Sequence, residues 1–188
     1  MDRAGHFLNR FVLQTVHQER TDKPSQIRDA AVIIPLIQRP EGWFVLFTQR
    51  SWQLRHHPGQ ICFPGGRKDS GDSSLQMTGL REMEEELGIP ASQVDIIGEL
   101  AGGQTLTGYQ IHPYLARLHT PFILSPAQAE VAAVFELPLS TLLDIRNYHS
   151  LMIVRNNKPH KIIGLTVNGW FVWGATARML YQLAKQYG

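Results

Sequence analysis

Cysteine occurs once in the 188 residues, as Cys62, so no disulfide can close within the chain and a disulfide-stapled secreted scaffold is not expected. A reducing cytoplasm is the expected compartment. Long hydrophobic runs are missing too. The N-terminal MDRAGHFLNRFVLQTVHQER is broken by charges before it reaches signal-peptide length, and no later segment approaches 18 uncharged apolar residues. A soluble protein with neither export signal nor membrane anchor is expected. An excess of one charge is also lacking: 18 Lys and Arg against 16 Asp and Glu give a formal charge of +2. That falls short of the polycationic balance of nucleic-acid binders and suits a small anionic molecule at least as well. No repeat, low-complexity tract or linker divides the chain, and a 43% hydrophobic composition supports one sizeable core. The expected organisation is a single domain over 28–188, preceded by a helix and connector in 1–27.

Within 1–27, Phe7, Phe11, Val12 and Leu13 recur at roughly helical spacing, and the polar TDKPSQ that follows reads as the connector. RDAAVIIPLIQ (28–38) and GWFVLFTQR (42–50) are apolar, β-branched or aromatic runs joined by Arg39-Pro40-Glu41-Gly42, which predicts a hairpin. Residues 73–87 place Leu80, Met83 and Leu87 on one helical face and stop at Gly88. Strands are expected over 94–102, 109–118 and 130–139, with a strand pair around LMIVRN and HKIIGLTVNG. WFVWGATARMLYQLAKQYG is read as a terminal helix in which Trp170, Phe171 and Trp173 pack. The class is α/β or α+β with a mixed sheet.

The chemistry gathers in FPGGRKDSGDSSLQMTGLREMEEELGI (63–89). At about 100° per residue, Glu82, Glu85 and Glu86 fall within an arc of roughly 100°, opposite the Leu80, Met83 and Leu87 stripe. Three carboxylates on one face are most often a solvated surface. Here they follow Gly65-Gly66, where the backbone can approach closely and turn a carbonyl toward them. A hard cation such as Mg²⁺ takes oxygen ligands of this kind and keeps waters while bridging phosphates. Arg81 is read as the partner that orients the acidic cluster.

These residues resemble the Nudix box. Gly66, five residues, Asp72, and then Arg81-Glu82-Met83-Glu84-Glu85-Glu86-Leu87-Gly88-Ile89 are similar to a glycine, five residues, a glutamate, seven residues and REUXEEXGU, where U is aliphatic. Two departures are that Asp72 stands for the first glutamate and that eight residues precede Arg81. Upstream, LFTQRSWQLRHHPGQICFPGG (46–66) resembles the signature of the coenzyme A pyrophosphatases within this superfamily, where the lengthened, aspartate-containing box is usual. Thr48, Arg50-Ser51, Arg55, Gly59 and Phe63-Pro64-Gly65-Gly66 carry the match.

The resemblance implies an α/β/α sandwich around a mixed sheet. It also implies hydrolysis of the coenzyme A diphosphate to 3',5'-ADP and 4'-phosphopantetheine with Mg²⁺ or Mn²⁺. The implied metal positions are Glu82, Glu85 and Glu86 with the Gly66 carbonyl, and the implied catalytic set is Glu82, Glu85 and Arg81, with Glu82 the preferred general base. Glu130, with Glu136 behind it, is the candidate carboxylate from outside the box. Arg50, Arg55, His57 and Arg67 put positive charge beside the loop, where a diphosphate or 3'-phosphate is gripped. His56-His57 lacks the third ligand of a transition-metal site. Cys62 reads as a small packed side chain rather than a nucleophile. Other readings are a Nudix hydrolase acting on NADH or ADP-ribose and a catalytically silent binding module.

Overall fold

The computed structural model describes residues 27–105, 108–155 and 158–187. The helix and connector expected within 1–27 lie, but for Ile27, outside the described residues. Two units meet in sequence between Ser140 and Thr141.

In the first unit, strand β1 (Arg28–Arg39) and strand β2 (Gly42–Arg50) form the expected hairpin, with Arg39 paired to Gly42 across the turn. Short strands β3 (Ile61–Cys62) and β4 (Gly65–Arg67) lead to helix α1 (Leu75–Leu87). Strands β5 (Val94–Glu99), β6 (Gly103–Gln104), β7 (Tyr109–Leu118) and β8 (Val131–Pro138) follow. β1 lies at the centre, parallel to β7 and antiparallel to β2 and β4, and β8 runs antiparallel along β2. The sheet is therefore mixed, and the unit is of the α+β type. A strand flanked on both edges and covered on both faces needs an unbroken apolar run rather than alternation. β1 has one, with Ala31, Ile33, Ile34 and Ile37 fully buried.

α1 covers one face of this sheet, burying Leu80, Met83 and Leu87 against Ala31, Ile33, Leu46 and Ala116. Its ends are fixed by local chemistry. Ser74 Oγ accepts from the Met77 amide at 3.1 Å, and Gly88 turns left-handed at φ 71° while its amide donates to the Glu84 carbonyl. The last carbonyls of a helix lack intrahelical partners. Here Ser125 N and Ala127 N donate to Leu87 O and Glu86 O at 2.8 and 2.9 Å, which clamps the segment before β8 onto the end of α1.

The second unit contains strands β9 (Tyr148–Arg155), β10 (Lys158–Val167) and β11 (Trp170–Trp173) as an antiparallel sheet, and helix α3 (Gly174–Tyr187); helix α2 (Leu139–Leu143) joins the two stretches of chain. The expected terminal helix is corrected at its start, because Trp170–Trp173 is a strand. Asn168 and Gly169, at φ 50° and 80°, make a two-residue hairpin turn that pairs Val167 with Trp170.

Candidate active site

Three connections bring the carboxylates together. β4 lies beside β1 in the register Ala31 to Gly66 and Val32 to Gly65. α1 then packs back over that face. The clamp at the end of α1 turns the chain so that the Glu130 carbonyl accepts from Ser51 N at 2.7 Å, while Arg50 pairs with Val131 where the β2–β8 ladder shifts register. Glu82 and Glu86 of α1, Glu130 before β8, and Arg50 at the end of β2 are thereby close enough to act on one another electrostatically.

Glu86 is the deepest of them, 4% exposed, and its Oε2 is buried with no hydrogen-bond partner. Burial pushes its carboxyl up to about 8; Arg50 and a hydrogen bond from the Gly65 backbone counter this in part, and Glu82 and Glu130 add to it. A carboxylate held against its own solvation is short of positive charge. Glu82 is raised for the same first reason, desolvation, opposed by Arg81 and reinforced by Glu85 and Glu130.

Gly66 fits closely against this group. A Cβ there would stand 2.3 Å from the Glu82 carboxyl carbon and 2.4 Å from each oxygen, so the glycine leaves the space that the carboxylate fills. Gly65 is required by its backbone, at φ 151° with a Cβ position 2.3 Å from the Ala31 carbonyl oxygen.

Arg81 ties the loop to the helix. Its Nε donates to Asp72 Oδ1 at 2.9 Å, Nη2 to Asp72 Oδ2 at 3.1 Å, to Glu82 Oε1 at 3.1 Å and to the Arg67 carbonyl at 3.2 Å, and Nη1 to Glu85 Oε2 at 2.9 Å. Asp72 also accepts from Thr78 Oγ1 and the Asp69 amide, each at 2.9 Å. Its hydrogen bonds, Arg81's above all, hold it well below the usual carboxylate range. Asp72, the residue that departs from the resembled motif, is the anchor of the 67–78 loop, a role its sequence position alone did not disclose.

The expected metal set is only partly assembled. Among the described residues no three His, Cys, Asp or Glu side chains already form a cation-holding group. Glu85 is exposed and bound to Arg81, Glu82 is shared with Arg81, and Glu86 is buried. The unpartnered Glu86 oxygen, the Gly66 space and the three mutually close carboxylates nevertheless fit a hard divalent cation.

The remaining expected residues divide. Arg50 faces Glu86, whose charge it offsets. Arg55 and His57 lie exposed on the 51–60 loop, and Arg67 is exposed beyond Gly66. Glu136 is bound to Arg39 through two hydrogen bonds at the far end of β8, so it acts as a structural ion pair. Cys62 Sγ lies 3.2 Å from Thr48 Oγ1, and desolvation pushes its thiol up to about 11, away from a nucleophile's range.

The NUDIX domain family matches residues 27–151. A curated relative from Salmonella typhi, named "Uncharacterized Nudix hydrolase NudL", is 40% identical over 183 residues, 97% of this chain and 94% of its own length. A relative of the same name from Salmonella newport is 40% identical over 184 residues, 98% and 94% of the two chains. Among solved structures, RenU, a Nudix hydrolase from M. smegmatis, aligns with a TM-score of 0.53 at 22% identity, covering 63% of this chain and 75% of that one. A C. elegans Ap4A hydrolase binary complex aligns at 0.52 and 20% identity, covering 59% and 80%. The two structures share the fold.

Proposed function

The chain belongs to the NUDIX domain family, and from that premise we propose that it hydrolyses the diphosphate bond of coenzyme A or an acyl derivative, with Mg²⁺ or Mn²⁺, to 3',5'-ADP and 4'-phosphopantetheine or its acylated form. The coarser activity, that of a Nudix hydrolase on a nucleoside diphosphate derivative, follows from the family and its relatives. The narrower substrate rests on the 46–66 segment that resembles the coenzyme A pyrophosphatases.

The observation that carries the chemistry is the buried Glu86 oxygen with no partner, set beside Glu82 and Glu130. Glu82, Glu85 and Glu86, with the Gly66 carbonyl and Glu130, are the residues that would hold the cation. When bound, it supplies charge neutralisation to the diphosphate and acidifies water. Water adds to one phosphorus, the bridging P–O bond breaks, and the bridging oxygen leaves with the other phosphate. Glu82, whose proton affinity burial raises above that of an ordinary glutamate, is the preferred acceptor of the water's proton. Arg81 fixes the Glu82 carboxyl and the loop that carries Gly66, and is a positioning residue. Arg50, close enough to Glu86 to offset its charge, is assigned to the anionic diphosphate, and Arg55, His57 and Arg67 to the substrate's charged groups around it.

A panel of coenzyme A, acyl-coenzyme A, NADH, ADP-ribose and a nucleoside triphosphate, run with and without Mg²⁺, tests the reading. Coenzyme A compounds are expected to give the highest kcat/KM, and only with the metal. A higher kcat/KM for NADH or ADP-ribose would move the assignment to another diphosphate. No turnover of any substrate would favour the silent binding module.

A further inference from the structure

Just beyond Gly66 in the chain, the start of β1 and the end of β4 border a cleft of about 410 Å³, lined by Arg28, Asp29, Arg67, Lys68 and Asp69. The ladder sets Arg28 and Arg67 on one face, and Lys68, one position on, borders the same cleft at the end of the strand. β1 and β4 are antiparallel with Ala30 opposite Arg67, and the Lys68 amide continues the ladder to the Asp29 carbonyl at 3.1 Å. Arg28 and Arg67 are therefore diagonal neighbours on one face, a separation of roughly 7–8 Å that long side chains span.

The two acids offset only part of this charge, since three cations line the cleft against Asp29 and Asp69, and each acid also faces a partner outside it. Asp29 Oδ1 lies 3.2 Å from His112 Nε2, and His112 Nδ1 lies 3.0 Å from Glu99. Asp69 Oδ2 lies 3.9 Å from Arg81 Nη2. Among the described residues Arg28, Arg67 and Lys68 form no ion pair with one another's neighbours in the cleft or beyond it.

We propose that this cleft is a phosphate-monoester subsite, in which Arg28, Arg67 and Lys68 seat a second phosphate of the substrate, outside the diphosphate that is cleaved. Arg28 and Arg67 offer planar, multi-donor guanidinium groups and Lys68 a point charge, a combination that fits a compact dianion better than a carboxylate or a neutral sugar. The position suits a group that is carried alongside the reaction without taking part in it. Arg67 follows Gly66 directly and its carbonyl is held by Arg81, so the cleft adjoins the candidate metal loop without sharing its carboxylates. This rests on the reading above for the identity of the substrate, but affinity for the phosphate can be measured without turnover.

The test is calorimetric titration of the full chain, without divalent cations, using adenosine 3',5'-bisphosphate and adenosine 5'-monophosphate. Wild type is expected to bind the bisphosphate at least about tenfold more tightly, the scale of one or two charge-assisted contacts. In Arg28→Ala/Lys68→Ala the two ligands should come within about twofold. Arg28→Lys/Lys68→Arg keeps the charges and should keep the preference, which separates loss of the subsite from loss of the fold. Equal binding of both ligands by wild type, a preference that survives the double alanine change, or one lost equally in the charge-preserving variant overturns the proposal. Coenzyme A turnover by the same wild-type sample distinguishes the two readings. Turnover without the binding preference removes the subsite alone, and the preference without turnover removes the substrate assignment while the subsite stands.

Discussion

Arg81 and Asp72 are joined twice, Nε to Oδ1 at 2.9 Å and Nη2 to Oδ2 at 3.1 Å, and this pair spans from α1 to the loop that carries Gly66. The Asp72 side chain is 7% exposed and that of Arg81 27%, so the pair is shielded well beyond an ordinary surface contact. Asp72→Ala is expected to cost about 2 kcal/mol of stability, between the values for surface pairs and for buried charged hydrogen bonds. Because the folded carboxyl is depressed, the contribution is fully present above the ordinary aspartate value of about 3.9 and is lost as pH falls below it. Denaturant unfolding at about pH 7 and about pH 3 should show the wild-type advantage over Asp72→Asn shrinking in acid.

Gly65 and Gly66 should respond differently to the same substitution. In Gly66→Ala the nearest atoms to the new methyl are those of the Glu82 carboxyl, a side-chain end that can shift, so the carboxylate is displaced, and hydrolysis should fall at least about tenfold with little change in melting temperature. In Gly65→Ala the methyl meets the Ala31 backbone at a positive φ, so the melting temperature itself should drop. Thermal melts run beside a turnover assay separate the two. Equal thermal loss in both would place Gly66's role in the fold.

How much of this was legible in the sequence depended on how local each signal is. The β1–β2 hairpin and the Gly88 stop of α1 follow from turn and cap residues within a few positions and formed where expected, while the helix begins at Leu75 behind the Ser74 cap rather than at 73. Trp170–Trp173 was misread because an apolar run adjoining an amphipathic helix extends that helix on paper, whereas the Asn168-Gly169 turn ends the preceding strand and starts a new one. The helical arc grouped Glu82, Glu85 and Glu86, but could not tell that Glu86, about 60° from Met83, sits at the edge of the core and is buried while Glu85 is exposed. The placement of Glu130 depends on the clamp from Ser125 and Ala127 to the end of α1, a contact across about forty residues that no local pattern encodes. His112, held between β5 and β1, was invisible for the same reason.

His112 gives a pH dependence of the opposite sign. Burial lowers its affinity for a proton, but hydrogen bonds with Glu99 and Asp29 outweigh that and leave the imidazole raised above its ordinary value. Both contacts are satisfied together only by the doubly protonated ring. The stabilisation is therefore fully present below about 6.5 and lost as pH rises through the folded value. The three side chains are partly exposed, so the difference between wild type and His112→Gln should be about 1 kcal/mol at about pH 5.5 and near zero at about pH 9.

Removing either carboxylate of the candidate centre should affect rate far more than fold. Glu86→Gln and Glu82→Gln are each expected to lower kcat/KM at least about 100-fold, as expected when charge stabilisation carries most of the catalysis. Circular dichroism should remain that of the wild type. Glu136→Gln, which breaks only the pair with Arg39, should leave the rate within about threefold. Near-normal rates in both Glu82 and Glu86 variants would remove the metal-site assignment.

The proposed reaction is cleavage of coenzyme A at its diphosphate. Its most direct measurement is mass spectrometry of the products formed from coenzyme A with Mg²⁺ in ¹⁸O-labelled water, alongside a chelator control. The expected products are 3',5'-ADP and 4'-phosphopantetheine in equal amounts, with one ¹⁸O atom entering across the cleaved bond, and no reaction with the chelator. Inorganic phosphate or free adenine as the first product, or an unchanged rate without the metal, would contradict it.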